Sequence, residues 1–225
     1  MSKKKHEKKP LSKKVIALLE QLKSKHGVRE LAKRFLIVCE DGKSAPNYFR
    51  ALRKFLGLTA TSIEVAGSDG RTQPVQVVAR AIQLKKAASD DESGTVPFDQ
   101  VWCVIDGDYG DKINNARTSA IANEIKLAIS TKCFEYWVLL HFVESNASTM
   151  DCDGTVTSLK HPHIPDYEKG SCDFAEIVRN VDEASKRAEK LRKPGIERGD
   201  LPENQNPCSE IYMLIAAIRD APNAE

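Results

Sequence analysis

Two apolar runs set the terms for this chain. Phe35-Leu36-Ile37-Val38 and Val101-Trp102-Cys103-Val104-Ile105 are rich in strand formers, and each breaks off on acids: Glu40 and Asp41 after the first, Asp106-Gly107-Asp108 after the second. The second run is apolar at nearly every position, so it reads as a strand buried on both faces. Such strands sit inside a sheet with helices above and below, the arrangement of α/β proteins. The segment after the first run agrees. Pro46 suits the first turn of a helix, where its missing N–H costs nothing, and Phe49, Leu52, Phe55 and Leu56 recur at helical spacing.

The rest of the chain continues the alternation. Val15, Leu18, Leu19 and Leu22 predict a helix that Gly27 ends, ahead of the first strand. The helix after Pro46 stops near Gly57, and the alternating Ile63 and Val65 predict a second strand. Val75, Val78, Ala79 and Ile82 mark another helix before the third strand. Residues 114–124 look helical, IKLAIS looks like a fourth strand, and CFEYWVLLHF reads as a buried helix. From about 145 to 170 the pattern breaks into Asn, Ser, Thr, Asp, Gly, His and Pro, which predicts a long loop or small insertion. A charged helix over Asp173–Lys193, a second irregular segment and a final apolar helix, SEIYMLIAAIRD, complete the chain. Strands alternating with helices imply a mostly parallel central sheet flanked by helices on both sides. The expected division is a basic tail and helix over 1–33 and one domain over 34–225.

Composition bounds the function classes. At 225 residues, 41% hydrophobic and 29% charged, the chain suits a soluble globular domain. No apolar run approaches the roughly 20 residues of a membrane helix, and the basic start lacks a signal-peptide core. Six cysteines stand at 39, 103, 133, 152, 172 and 208 with no C-x-x-C pair, which reads as a reducing cytoplasm and no disulfide framework. Net charge is only +2, yet residues 1–14 hold seven lysines against Glu7. That tail either contacts phosphates or keeps the protein soluble.

The triplet Gly42-Lys43-Ser44 suggests a phosphate-binding P-loop, but the spacing excludes it. The motif needs a glycine five residues before Gly42, and Ile37 stands there, inside a strand. What remains is a strand delivering Glu40 and Lys43 into a helix, at the sheet edge where α/β proteins bind ligands. In extended backbone, Asp106 and Asp108 would point to one face, and Gly107 would leave room beside them. If the first and third strands are parallel neighbours, Glu40 joins them. Three hard oxygen donors of this kind suit Mg²⁺ with substrate phosphate oxygens; ordinary turn chemistry is the competing reading.

Taken together, FLIVCEDGKSAPNYFRAL, VWCVIDGDYGD, CFEYWVLLHF and YEKG occur in an order that resembles the RloB family, whose members carry a Toprim-like domain in prokaryotic defence and restriction loci. The resemblance covers roughly residues 34–220. It implies a three-layer Toprim-like fold, with Asp106 and Asp108 as Mg²⁺ (or Mn²⁺) ligands and Glu40 as general acid or base or a further ligand. It also implies cleavage of RNA or DNA in antiviral defence by abortive infection, often beside an ATPase encoded nearby. Three blocks depart from the family pattern. The turn that usually reads E-G-E-K-T-E is Glu40-Asp41-Gly42-Lys43-Ser44-Ala45, the usual S-N-P-C is Ser130-Thr131-Lys132-Cys133, and the usual N-P-S-T is Asn206-Pro207-Cys208-Ser209.

Other residues fill out the expected site. Glu135 lies among Phe134, Trp137, Val138 and Leu139, so it must reach a cation, a backbone N–H or the metal site. His141 reads as a hydrogen-bonded core residue. Cys152, His161, His163 and Cys172 match no standard zinc spacing. Lys43, Lys169 and Arg71 are candidates to grip phosphate, with Lys43 as an electrostatic clamp. The leading expectation is a metal-dependent nuclease, with a homo-oligomer open; the alternatives are a non-catalytic nucleic-acid- or ATPase-binding adaptor and an enzyme acting on small phosphates.

Overall fold

The computed structural model describes residues 33–60, 62–67, 69–70, 73–91, 96–146 and 151–221. The lysine-rich start, the helix expected at Val15–Leu22 and Arg71 lie outside the described residues. Five strands, β1 (Phe35–Cys39), β2 (Ile63–Gly67), β3 (Gln100–Asp106), β4 (Ile125–Thr131) and β5 (Cys208–Ser209), form one sheet in the order β2-β1-β3-β4-β5. The first four are parallel, and β5 pairs antiparallel with β4. Seven α-helices flank the sheet among the described residues: α1 (Ser44–Phe55), α2 (Pro74–Ser89), α3 (Lys112–Ala122), α4 (Phe134–Leu139), α5 (Cys152–Ser158), α6 (Val181–Arg198) and α7 (Ile211–Arg219).

Side-chain alternation along the strands divides the core into two layers. Leu36, Val38, Cys103 and Ile105 pack against α2 and α3. Phe35, Ile37, Cys39, Trp102 and Val104 point the other way, against α1, α4, α6 and α7. Both faces of β1 and β3 are covered, as their apolar runs require, and the result is the three-layer Toprim-like architecture. Local chemistry fixes the helix ends. The Asp41 carboxylate accepts the N–H groups of Ser44 (2.6 Å) and Ala45 (3.1 Å) at the start of α1. Arg53 and Lys54 occupy its last turn, where cations complement the helix dipole, and Gly57 follows at φ +68°.

Three segments differ from the sequence reading. The stretch expected to be irregular over 145–170 contains α5. Its sequence, CDGTVTS, has poor helix propensity, and the helix stands because Asp151 caps Gly154 N–H (2.7 Å) and Leu159 is buried beyond it. The charged helix expected from Asp173 starts later: a 3₁₀ turn at Ile177–Asn180 leads into α6, which then runs through Pro194 to Arg198. Buried Arg192 holds those last turns, bonding the Asp200 carbonyl (2.9 Å), Gln205 Oε1 (2.8 Å) and Glu210 Oε1 (3.3 Å). The second irregular segment supplies β5, too short for any hydrophobic period to announce.

Candidate functional site

Chain order along the sheet reverses between β1 and β3. The first crossover goes outward from β1 to β2, and the next returns past β1 to β3. Loops that diverge at such a point leave a crevice beyond the carboxyl ends of the two strands. Cys39 pairs with Val104 in this register, so Glu40 and Asp106 emerge side by side.

They are bonded to one another. The Asp106 N–H donates to Glu40 Oε2 (3.1 Å), and the Tyr109 hydroxyl donates to Glu40 Oε1. The Phe134 N–H, at the start of α4, donates to Asp106 Oδ1 (2.9 Å). Burial pushes the Glu40 pKa up to about 7, the bonds from Tyr109 and Asp106 oppose the shift, and the charges of Asp108 and Asp41 add to it. Asp106 is held well above the ordinary carboxylate range, first by burial and then by repulsion from Glu40, Glu135 and Asp108.

Asp108 is placed differently from the strand-alternation expectation. β3 ends at Asp106, and the chain turns at Gly107. Beyond the strand the period of two no longer applies, and Asp108 is exposed rather than lining the crevice, although its charge still reaches Glu40 and Asp106. Gly107 serves packing rather than the carboxylates: a Cβ there would collide with Thr131 Oγ1 and stand 3.0 Å from Thr131 Cα.

The crevice is a cavity of about 250 Å³ lined by Glu40, Asp41, Asp106 and Glu135, with Lys43 and Lys169 as its cations. Asp41 was legible only as a turn residue, yet it is a wall of this cavity. Burial raises its pKa, while the α1 N–H groups it accepts pull it down and Glu135 pushes it up. Glu135 is buried at 3% exposure and satisfied by the Tyr167 hydroxyl (3.1 Å) and the Lys169 ammonium (3.5 Å). Lys43 is exposed, and its methylene stem lies over Gly170 so closely that a Cβ there would fall 2.6 Å from Lys43 Cδ. Gly170 also has φ +88°, a second reason for glycine.

One expectation is overturned. The scattered cysteines predicted no disulfide, but Cys133 and Cys152 are joined, 19 residues apart. The pairing is tertiary: the β4–α4 junction meets the start of α5, which no local spacing could announce. The Cys152 sulfur lies 3.8 Å from Glu135 Oε2 and 3.2 Å from Lys169 Nζ. As half of a disulfide it has no proton to give Glu135. With the sulfurs reduced, Cys133, Glu135 and Cys152 offer ligand atoms within 4.8 Å of one another, a possible metal-binding group. The cysteine–histidine set at 152, 161, 163 and 172 does not assemble: Cys152 is bonded elsewhere, His163 stacks on Phe142, and Cys172 is a free thiol. His141 is a core residue. Its Nδ1–H donates to the Trp137 carbonyl (3.0 Å), which leaves Nε2 to accept from the Tyr48 hydroxyl (3.0 Å), and burial lowers its pKa to about 4.

The donor set fits a hard divalent cation. Four carboxyl groups face two ammonium groups across the cavity, every carboxylate donor is oxygen, and the pKa values of Glu40, Asp41 and Asp106 are all raised. Burial raises all three, and the carboxylates' mutual repulsion adds to it; a positive charge held among them would relieve that repulsion.

The family profile described as RloB-like protein matches residues 35–218. The chain belongs to the RloB-like family. No curated protein and no solved structure matches it significantly. The matched span of this RloB-like protein runs from β1 to α7 and contains every residue of the crevice. No helix among the described residues is long and apolar enough to cross a membrane.

Proposed function

We propose that this RloB-like protein is a metal-dependent nuclease that hydrolyses RNA or DNA phosphodiesters in antiviral defence. The observation that carries this reading is the pairing of Glu40 and Asp106 from adjacent parallel strands, directly hydrogen-bonded across the switch point of the sheet. Asp106 and Glu40 would hold Mg²⁺ or Mn²⁺, with the charge of Asp108 reaching them from the turn outside the cavity, and the ion would supply charge neutralisation at the phosphoryl oxygens.

The chain's own groups do the rest. Lys43 and Lys169, at the cavity wall, attract and orient the phosphate. Glu40, with a pKa near 7, exchanges a proton readily at neutral pH, as a general acid or base must. The Tyr109 hydroxyl and the Asp106 N–H fix its two oxygens, so the proton is handled at a defined position. The Phe134 N–H holds Asp106. Glu135, committed to Tyr167 and Lys169, positions the lysine. The family setting suggests an abortive-infection role in the cytoplasm beside an ATPase encoded nearby; a homo-oligomer stays open.

A second reading has a specific observation behind it. Asp108 stands outside the cavity and Ala45 replaces an acid of the usual turn, which suits an adaptor that binds nucleic acid or an ATPase without cutting. The deciding assay supplies Mg²⁺ or Mn²⁺ with labelled tRNA, single-stranded RNA and plasmid DNA, with and without a neighbouring ATPase. Cleavage by the wild type that Asp106→Asn abolishes supports the enzyme. Equal cleavage by both exposes a contaminant, and cleavage by neither favours the adaptor.

A further inference from the structure

Helix α1 carries two surfaces. Its first residues, Ser44 and Ala45, line the acidic cavity. Further along, Asn47, Arg50, Lys54 and Phe55 fall at helical spacing on one face and line a second groove of about 640 Å³, closed on its far side by Asp173 and Arg179. The two sites adjoin: Asn47 Nδ2 in the groove donates to the Gly170 carbonyl at the cavity wall (3.4 Å).

The groove's chemistry is specific. Phe55 keeps the helical spacing of the core residues Phe49 and Leu52, yet it is 47% exposed at the groove wall. Three cations line the groove against one acid. Asp173 Oδ1 is engaged by the Ala175 N–H (3.0 Å), and the Lys54 ammonium has no hydrogen-bond or ion-pair partner among the described residues. Among the described residues, the Arg50 guanidinium hydrogen-bonds Asn47 Oδ1 (3.2 Å) and the Val65 carbonyl (3.5 Å). The Arg179–Glu176 pair is solvated on both sides, so it holds that guanidinium weakly. Cations spaced along a helix face with an exposed aromatic ring among them are the elements of single-strand recognition: the charges follow the backbone and the ring stacks on an unpaired base. A duplex hides its base faces and cannot use the ring.

We infer that single-stranded nucleic acid lies along α1 in this groove, its phosphates on Arg50, Lys54 and Arg179 and one base stacked on Phe55, with the scissile phosphate entering the acidic cavity past Lys43. This rests on the nuclease reading of the cavity and names its substrate form. Asn47 to Phe55 spans about 12 Å of helix, the length of a short segment of single strand.

The test is fluorescence anisotropy with the full chain in EDTA, using a labelled 12-nucleotide single strand and the same sequence as a duplex. Phe55→Ala should weaken single-strand binding about 5- to 100-fold and leave the duplex and the salt slope unchanged. Arg50→Gln and Lys54→Gln should each reduce the slope of log K against log salt by about one, whereas Lys86→Gln, an exposed lysine on α2, should not match them. If the groove variants bind and cut like wild type, the inference fails while the nuclease reading stands. If Lys86→Gln equals the groove variants, binding is diffuse and the inference fails likewise. If the wild type neither binds nor cuts any strand, both fall.

Discussion

The floor and the flap of the acidic cavity are built in opposite ways. The floor, Glu40 and Asp106, comes from β1 and β3, whose apolar side chains are almost entirely buried between two helical layers. Backbone ladders on both sides fix its position. The flap, Tyr167, Lys169 and Gly170, comes from a turn-rich stretch that follows α5 and a π-helical turn at Leu159–His163. Polar contacts to Glu135, the stem of Lys43 and the Cys133–Cys152 bond tie it down. The carboxylates are thus fixed by the sheet, and the wall beside them is fixed by side-chain ties from a loop.

The comparison breaks most sharply at Asp106. Asp106→Asn keeps the shape and still accepts the Phe134 N–H, but it removes the charge. Metal-dependent cleavage should fall by about 10²- to 10³-fold, the usual scale for losing one electrostatic stabiliser of a transition state. In EDTA the same variant should melt a few degrees higher, because it relieves a buried carboxylate repelled by three others. Activity lost together with a lower melting temperature would instead mean that Asp106 is structural.

The floor was legible in the sequence; of the flap, the YEKG block and Lys169 were legible, but not the contacts that hold them, for a physical reason. Strands buried on both faces must be apolar at successive positions, so β1 and β3 declare themselves, and acids ending both runs mark the sheet edge. Asp108 shows where that logic stops, because alternation holds only while the strand continues. Asp41 and the disulfide were missed because their meaning lies in partners distant in sequence or in backbone geometry. In α5, tertiary ties override weak propensity, which is invisible in a local window.

Reduction tests the flap. Closing a loop of this length stabilises a protein by about 3 kcal/mol in the chain-entropy account. Alkylated in denaturant, oxidised protein should yield four modified thiols and reduced protein six. Hydrogen exchange over residues 151–170 should accelerate on reduction while β1 and β3 amides stay protected. Uniform acceleration through the strands would erase the distinction between floor and flap.

Two glycines sharpen it further. Gly107→Ala drives a Cβ into Thr131 Oγ1 and tight against the backbone of β4, and should destabilise by about 1–3 kcal/mol. Gly170→Ala meets only the flexible stem of Lys43 and its own positive φ, and should cost about 1 kcal/mol. Urea denaturation midpoints would rank them; the reverse order would make the flap the more rigid element.

The smallest effect concerns Glu40 and acidity. Its pKa rises from an ordinary 4.5 to about 7 on folding. Between those values the folded state keeps a proton that the unfolded state has lost, so stability falls as pH rises. Glu40's contribution is fully present below about pH 4.5 and lost as pH passes 7. Because the carboxylate retains some solvent, the change should be about 1–2 kcal/mol rather than the full value of its shift. Asp106 acts in the same direction. Melting scans in EDTA from pH 4.5 to 8 should therefore slope downward, and Glu40→Gln should flatten the slope in part. Mg²⁺ should restore stability most above pH 7, where the carboxylates are ionised, and least below pH 5. A wild-type slope that Glu40→Gln leaves unchanged would mean that the Glu40 carboxylate stays solvated, and its assignment as the acid–base group would go with it.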